Sequence, residues 1–206
     1  MLRVWGRRDS SNVQKVVWCC DEMGVPFERI DIGGAFGKNR EKPYLDLNPN
    51  GQVPTIEDEG FVLWESNSIL RYLNEKHGEG KLLPATIEGR ANANRWMDWQ
   101  LAAMNPFMVT IFQGLVRKSE SDRDLSAIEM ARQSAAEKWK IVDEYLEHST
   151  YLGGDTFSMG DIPLGVWAYR WFNLSIERPP LPRVEQWYQR LCERPAYKKN
   201  IMIPLT

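Results

Sequence analysis

The 206-residue sequence contains few cysteines and few histidines. Two of its three cysteines are the adjacent pair Cys19 and Cys20, which ordinary disulfide geometry would strain to join. The third, Cys192, lies far along the chain, and the two histidines, His77 and His148, are isolated from each other. We therefore expect no disulfide framework, no C-x-x-C redox motif and no metal site.

The sequence also has no excess of one charge and no long apolar run. The 26 Lys and Arg residues nearly balance the 28 Asp and Glu residues, which argues against a non-specific binder of nucleic acid or anionic membranes. The longest mostly apolar stretch, 101–112, is shorter than the roughly 20 residues that span a bilayer. The first eight residues are rich in arginine and do not resemble a secretory signal, so we expect a cytoplasmic protein.

The first 80 residues alternate between strand and helix patterns. Gly24 and Gly78 follow two of the helical patterns, where glycine commonly ends a helix. The predicted order is β-α-β followed by α-β-β-α, with a hairpin closed by a turn at 57–60. The strand patterns cover 2–5, 27–30, 53–56 and 61–64, and the helical patterns cover 12–23, 43–47 and 66–77.

After residue 80 the pattern becomes helical. Residues 81–87 are a predicted linker, and apolar residues then recur at spacings of three and four, including helices near 159–172 and 182–192. Pro106 is expected to kink the first long helix. The sequence therefore predicts two domains, an α/β domain over 1–80 and an all-α domain over 88–206.

Two short motifs carry the chemistry. Val53-Pro54 places a proline at the start of a strand, where its missing N–H leaves the neighbouring backbone free to pair with a ligand. Glu65-Ser66 lies where a strand ends and a helix begins, so Ser66 and the helix N–H groups can hold a carboxylate. Glu65 can meet an amino group. A peptide-like ligand with a free amine and a free carboxylate would suit these groups.

Each motif alone also has a purely structural interpretation. The stretch Asn48 to Gly51 is a common turn, and Glu-Ser before a helix is a common cap. The two motifs in this order, at strand-hairpin-helix spacing, favour a binding site.

With these motifs, the whole chain resembles the cytosolic glutathione S-transferase superfamily, in the bacterial type that has serine at the catalytic position. The resemblance implies a thioredoxin-like glutathione-binding domain followed by an all-α domain that supplies the site of the second substrate. In that family the Val-Pro bond is cis, the valine backbone pairs with the cysteinyl part of glutathione, and Glu-Ser holds the γ-glutamyl end. These roles fall on Val53, Pro54, Glu65 and Ser66.

The resemblance implies further binding residues. Gln52 matches the family's Gln or Lys beside the glycyl or γ-glutamyl backbone. Asn39 and Arg40 fall near the place where a polar or basic side chain meets the glycyl carboxylate.

The resemblance also places the catalytic group just after the first strand. Ser10 falls on the family's serine or cysteine position, with Ser11 as the alternative. A hydroxyl donor and the positive end of a helix would stabilise the glutathione thiolate, and Asn12 could donate its side-chain amide to the same sulfur. The structural alternative is that Ser10, Ser11 and Asn12 only cap the helix.

The resemblance thus implies a glutathione transferase that conjugates glutathione to a small apolar electrophile, without a metal, as a homodimer in which the helical domain packs against the partner's first domain. A glutathione-dependent disulfide or peroxide reductase, and a non-catalytic binding or structural protein of the same fold, stay open. Ser158 and Asp161 match a structural capping box. Candidates for the second-substrate pocket, which core packing also explains, are Met104, Phe107, Met108, Phe112 and Trp171.

Overall fold

A computed structural model describes all 206 residues, which form two compact units. The first unit comprises Met1–Leu83 and Ala196–Ile203, and the second comprises Pro84–Pro195 and Pro204–Thr206. The sequence predicts a first domain over 1–80, a linker over 81–87 and a helical domain over 88–206. In the structure the chain returns to the first unit for residues 196–203.

The first unit is a four-stranded mixed sheet with helices. Its sheet has the order β2-β1-β3-β4, in which β1 runs parallel to β2 and antiparallel to β3, and β3 and β4 form a hairpin. The elements are β1 (Leu2–Trp5), α1 (Ser11–Met23), β2 (Phe27–Ile30), α2 (Lys42–Leu45), β3 (Thr55–Asp58), β4 (Phe61–Trp64) and α3 (Ser66–His77).

The elements of the first unit follow the predicted patterns closely. In β1, Leu2 and Val4 are buried and Arg3 is exposed, as alternation requires. Helix α1 buries Cys19 and Cys20 and ends at Gly24, whose φ of 75° suits a residue without a Cβ. Strand β3 begins two residues later than predicted, so Val53 and Pro54 lie outside the sheet.

The second unit consists of helices. Between residues 87 and 117 the backbone stays helical, with π-helical segments at Gln100–Met104 and Gln113–Arg117. Pro106 lacks an N–H for the helical ladder, and a π-helical segment lies just before it. The kink at Pro106 stays a prediction. The helices are α4 (Ile87–Trp99), α5 (Asn105–Phe112), α6 (Leu125–Tyr145), α7 (Asp161–Asn173) and α8 (Pro182–Glu193), and the chain then continues into α9 (Pro195–Asn200).

The start of α7 is held by a buried carboxylate. Asp161 accepts hydrogen bonds from the Ser158 N–H at 3.0 Å and the Ser158 hydroxyl at 3.3 Å, which is half of the predicted capping box. The Ser158 hydroxyl accepts from Gly160 rather than from Asp161. Asp161 also accepts from the Leu152 N–H and from the indole N–H of Trp187.

Most of the tryptophans form part of the core. Trp64 is an exception, since it lies on β4 and is 37% exposed. The fully buried tryptophans are Trp18, Trp139, Trp167, Trp171 and Trp187.

None of the helices combines the length and the apolar character that a bilayer span requires.

Candidate functional site

A cleft of about 140 Å³ in the first unit gathers most of the predicted site residues. Six of the predicted residues line it, and Ser10 and Arg40 do not. The lining residues are Asn12, Asn48, Asn50, Gln52, Val53, Pro54, Glu65 and Ser66.

The Val53-Pro54 segment offers a free backbone edge to this cleft. The Val53-Pro54 peptide bond is cis, as the resemblance implied. The N–H and C=O of Val53 take part in no hydrogen bond within the protein. Buried backbone groups are almost always paired, so an unpaired edge at a cleft is suited to an extended, peptide-like ligand.

A buried polar network holds this edge in place. The carbonyl of Gln52 accepts hydrogen bonds from the Tyr44 hydroxyl at 2.6 Å and from the Asn48 amide at 2.9 Å. Both side chains also reach the Thr55 hydroxyl, at 2.9 and 3.2 Å. Burial raises the pKa of Tyr44, so the phenol stays a proton donor at neutral pH. The sequence pattern does not indicate this network, and the only visible signal of it is Asn48 at the start of the turn.

The junction of β4 and α3 supplies a carboxylate and a helix N-terminus. Glu65 precedes α3 with a φ of 73°, a conformation that a residue with a Cβ rarely adopts and that is often found at functional sites. Its side chain is exposed and forms no ion pair. Ser66, the first residue of α3, is 6% exposed, and its hydroxyl donates to Asn12 Oδ1 at 3.4 Å. The first N–H groups of a helix have no intrahelical acceptor, so this end suits an anion.

The segment after β1 places Asn12 in the cleft lining, whereas Ser10 and Ser11 are not part of it. Ser10 precedes α1, is 8% exposed, and its side chain makes no capping hydrogen bond. The structural alternative, in which Ser10 only caps α1, therefore finds no hydrogen bond to support it. The role of Ser10 toward a thiol stays a prediction.

The side chains of Asn39 and Arg40 lie at the rim of the cleft and do not line it. The Asn39 amide donates to the carbonyl of Gly51 at 2.8 Å, and the Arg40 guanidinium donates to the carbonyl of Asn50 at 3.1 Å. These contacts hold the turn at 50–51 in position. A direct contact of Arg40 with a ligand carboxylate stays a prediction.

Lys15 lies directly behind Ser66 of the cleft, a position that the sequence pattern does not indicate. Its side chain, on α1, is 0% exposed. Its Nζ lies 3.5 Å from Ser66 Oγ and 3.4 Å from Asn67 Oδ1. Nothing in the sequence indicated this, because a lysine within an amphipathic helix normally faces solvent.

The cysteines of the protein lie away from the cleft. The three cysteines are free, and none lines the cleft. Burial raises the pKa of the Cys19 thiol to about 12, which keeps it protonated and unreactive at neutral pH. No three His, Cys, Asp or Glu side chains lie close enough together to hold a metal ion.

Comparison with known proteins agrees with the resemblance. Residues 9–76 match the family model of the glutathione S-transferase N-terminal domain, and residues 101–195 match that of the C-terminal domain. The Escherichia coli (strain K12) protein glutathione S-transferase GstB is 37% identical over 208 residues, covering 100% of both chains. The chain belongs to the glutathione S-transferase superfamily.

Two further relatives bear on function. A crystal structure of the theta class glutathione S-transferase from Xanthomonas axonopodis pv. citri with glutathione bound superposes with a TM-score of 0.96 at 45% identity, covering 100% of this chain and 99% of that one. The Escherichia coli (strain K12) disulfide-bond oxidoreductase YfcG is 27% identical over 90% of this chain and 87% of its own. The fold is therefore that of the glutathione S-transferases.

The residues suggested for a second-substrate pocket differ in exposure. Met104, Met108, Phe112 and Trp171 are at most 5% exposed, as core residues are. Phe107 is half-buried, which leaves part of its ring accessible.

Proposed function

We propose that this member of the glutathione S-transferase superfamily conjugates glutathione to a small apolar electrophile. The observation that carries the proposal is the cleft of the first unit. It combines the unpaired backbone edge of Val53, the unpaired carboxylate of Glu65 and the N-terminus of α3 at Ser66.

Glutathione has groups that complement each of these features. Its cysteinyl backbone pairs with the N–H and C=O of Val53. The α-carboxylate of its γ-glutamyl end meets Ser66 and the free N–H groups of α3, and the ammonium beside that carboxylate meets Glu65. Gln52 lies beside the peptide backbone, and Arg40 faces the glycyl carboxylate.

The reaction then needs only a stabilised thiolate and a bound electrophile. Ser10 and Asn12 donate hydrogen bonds to the sulfur and favour its ionised form. The thiolate attacks an electrophilic carbon, a carbon–sulfur bond forms, and the leaving group departs with the electron pair of the broken bond. The helical unit holds the electrophile, and Phe107 is our candidate contact in it.

Calorimetry tests the binding step. We expect saturable binding of glutathione by the wild-type protein and weaker binding by Ser66→Ala, which removes a buried hydroxyl from the cleft. Ser68→Ala is the matched control, because it removes an exposed serine hydroxyl from the same turn of α3. Absence of saturable glutathione binding by the wild type contradicts the proposed function.

The thiolate-stabilising role is tested by ultraviolet titration of the bound thiol. We expect Ser10→Ala to raise the pKa of the glutathione thiol and to lower turnover by about 10². Ser11→Ala is the matched control and should leave both unchanged. The reverse pattern would move the role to Ser11, and a null result for both would leave Asn12 as the donor.

A glutathione-dependent disulfide reductase is the second candidate. It is favoured by the similarity to the Escherichia coli disulfide-bond oxidoreductase, together with a cleft that has no cysteine of its own. Parallel assays with an aryl halide, an epoxide and a disulfide divide the two activities. Binding of glutathione without turnover of any of them would indicate a non-catalytic member.

A homodimer in the cytoplasm completes the proposal. Phe61 and Trp64 on the edge strand β4 are 48% and 37% exposed, and such apolar surface favours a contact with another chain. Light scattering during gel filtration tests the dimer, and cell fractionation tests the location. A monomer at micromolar concentration contradicts the dimer.

A further inference from the structure

Lys15 is a fully buried lysine next to the cleft, and the proposed mechanism does not use it. Its Nζ lies within 3.5 Å of Ser66 Oγ and Asn67 Oδ1, the first two side chains of α3. Burying an ammonium group is costly, because the group loses its hydration. Its position directly behind Ser66 therefore indicates the sign of the charge that a ligand carries at this end of the cleft.

Helix α1 carries both Lys15 and Asn12, whose side chains reach Ser66. They are three residues apart, so their side chains lie on one side of the helix. Both contact Ser66, whose hydroxyl donates to Asn12 Oδ1 at 3.4 Å. An ammonium can only donate hydrogen bonds. The Ser66 oxygen therefore accepts from Lys15, which leaves the hydroxyl proton for Asn12 or for a ligand.

Apart from the exposed carboxylate of Glu65, which the proposed function pairs with the ligand's ammonium, the charges around Ser66 favour an anion. Helices α1 and α3 begin at Ser11 and Ser66, and the N-terminus of each helix carries a partial positive charge. The ammonium of Lys15 adds a positive charge behind the Ser66 hydroxyl. A hydroxyl that accepts from a cation is also polarised into a stronger donor.

We propose that Lys15 is a positioning residue that directs the Ser66 hydroxyl toward the α-carboxylate of the ligand's γ-glutamyl end. The proposal rests on the proposed function, because glutathione supplies that carboxylate. Lys15 thereby makes the site selective for ligands that keep this carboxylate, over otherwise identical ligands that lack it.

Calorimetry with two ligands and two variants tests the proposal. The ligands are glutathione and its analogue with a 4-aminobutyryl group in place of γ-glutamyl, which lacks only the α-carboxylate. We expect Lys15→Met to weaken glutathione binding by about 10-fold and analogue binding by less than about 2-fold. Lys140→Met, which removes a half-exposed lysine of the second unit, is the matched control and should change neither. In turnover, Lys15→Met should raise KM for glutathione and leave kcat unchanged.

Equal weakening of both ligands by Lys15→Met would show a merely structural role and overturn the proposal. Unchanged glutathione affinity would overturn it as well. If the wild type binds no glutathione, the proposed function fails first and this inference falls with it. If the wild type binds glutathione and Lys15→Met does not change the preference for glutathione over the analogue, the proposed function stands and the inference alone fails.

A measurement on the wild-type protein covers the case in which Lys15→Met does not fold. Lysine labelled with ¹⁵N at Nζ reports the ammonium directly, and Lys15→Arg assigns its resonance. We expect glutathione to shift the Lys15 resonance and the 4-aminobutyryl analogue to leave it in place. Equal shifts with both ligands, or a shift with neither, would overturn the proposal.

Discussion

Asp58 is a residue whose charge is tied to the fold of the first unit. It lies on β3 with only 2% of its surface exposed. Burial alone raises the pKa of Asp58, but hydrogen bonds from His77 at 2.7 Å, Tyr72 at 2.8 Å and Lys76 outweigh burial and lower that pKa to about 2. The folded state therefore prefers the carboxylate more strongly than the unfolded chain does.

We expect this preference to make stability depend on pH in the acid range. The pKa of Asp58 is lower in the folded state than its ordinary value of 3.8. The stabilisation is therefore complete above about pH 4 and is lost as the pH falls toward 2. Asp58→Asn should lower the free energy of unfolding by about 2 kcal/mol at pH 6, and this difference from wild type should shrink below pH 4.

Thermal unfolding at several pH values measures the difference. Asp46→Asn is the control, because Asp46 is an exposed partner of Lys42 and its loss should cost little at any pH. A difference between wild type and Asp58→Asn that is the same at pH 6 and pH 3 would contradict the assignment.

The side chain of Asn48 supports the backbone next to the proposed ligand-binding edge at Val53. Its amide donates to the carbonyl of Gln52 and to Thr55, and its own carbonyl accepts from the N–H of Asn50 at 3.0 Å. We expect Asn48→Ala to lower the free energy of unfolding by about 1–3 kcal/mol, because buried groups lose their partners. It should also weaken glutathione binding, since the edge at Val53 is no longer fixed.

Tyr44→Phe is the graded comparison for Asn48→Ala. It keeps the ring and removes only the hydroxyl that donates to Gln52. The losses of stability and of glutathione affinity should both be smaller for Tyr44→Phe than for Asn48→Ala. Urea unfolding measures the first and calorimetry measures the second. Loss of stability without any loss of glutathione affinity would separate this network from the site.

At the scale of elements, Asp161 is the anchor of α7. It is fully buried and accepts from Ser158, Leu152 and Trp187. Burial raises the pKa of Asp161 to about 6 against the lowering effect of these bonds, so the side chain is a carboxylate at pH 7 and above.

Replacement of Asp161 by alanine leaves three buried N–H donors without an acceptor. We expect Asp161→Ala to lower the free energy of unfolding at pH 7.5 by about 3 kcal/mol or more, which corresponds to a fall in Tm of about 6–12 °C. Asp155→Ala, at a nearby exposed aspartate, should change Tm by about 1 °C at most. A small effect of Asp161→Ala in calorimetry would mean that water or a neighbouring group replaces the carboxylate.

The elements themselves were largely predictable from local patterns. Alternation located β1, and glycine at position 24 located the end of α1, because strand pairing and helix ends depend on neighbours in sequence. The Glu65-Ser66 motif located the start of α3. Local patterns could not show that Lys15 is buried behind Ser66, since that contact joins residues on two different helices. For the same reason, the sequence pattern indicates that Asn48 is a turn residue but does not indicate that it supports the carbonyl of Gln52.

At the scale of the whole molecule, the path of the chain is the main feature that no local pattern indicated. Residues 196–203 return to the first unit, where Tyr197 is fully buried and packs edge-on against Trp18 with ring centroids 4.8 Å apart. Lys199 and Asn200 both contact Asp21 on α1, at 2.9 and 2.6 Å. A helical pattern at the end of a helical region predicts a helix, but it does not say which unit the helix packs on.

This packing predicts that the first unit depends on residues far from it in sequence. A chain that ends at residue 195 loses the Tyr197 ring and both contacts to Asp21, so we expect its first unit to be destabilised by about 3 kcal/mol or more. Hydrogen exchange should then quicken in α1 and the sheet more than in α6. A chain that ends at residue 203 is the matched control, because it loses only Pro204–Thr206, which lie outside the first unit. Equal exchange rates for α1 in both truncated chains would show that residues 196–203 do not support the first unit.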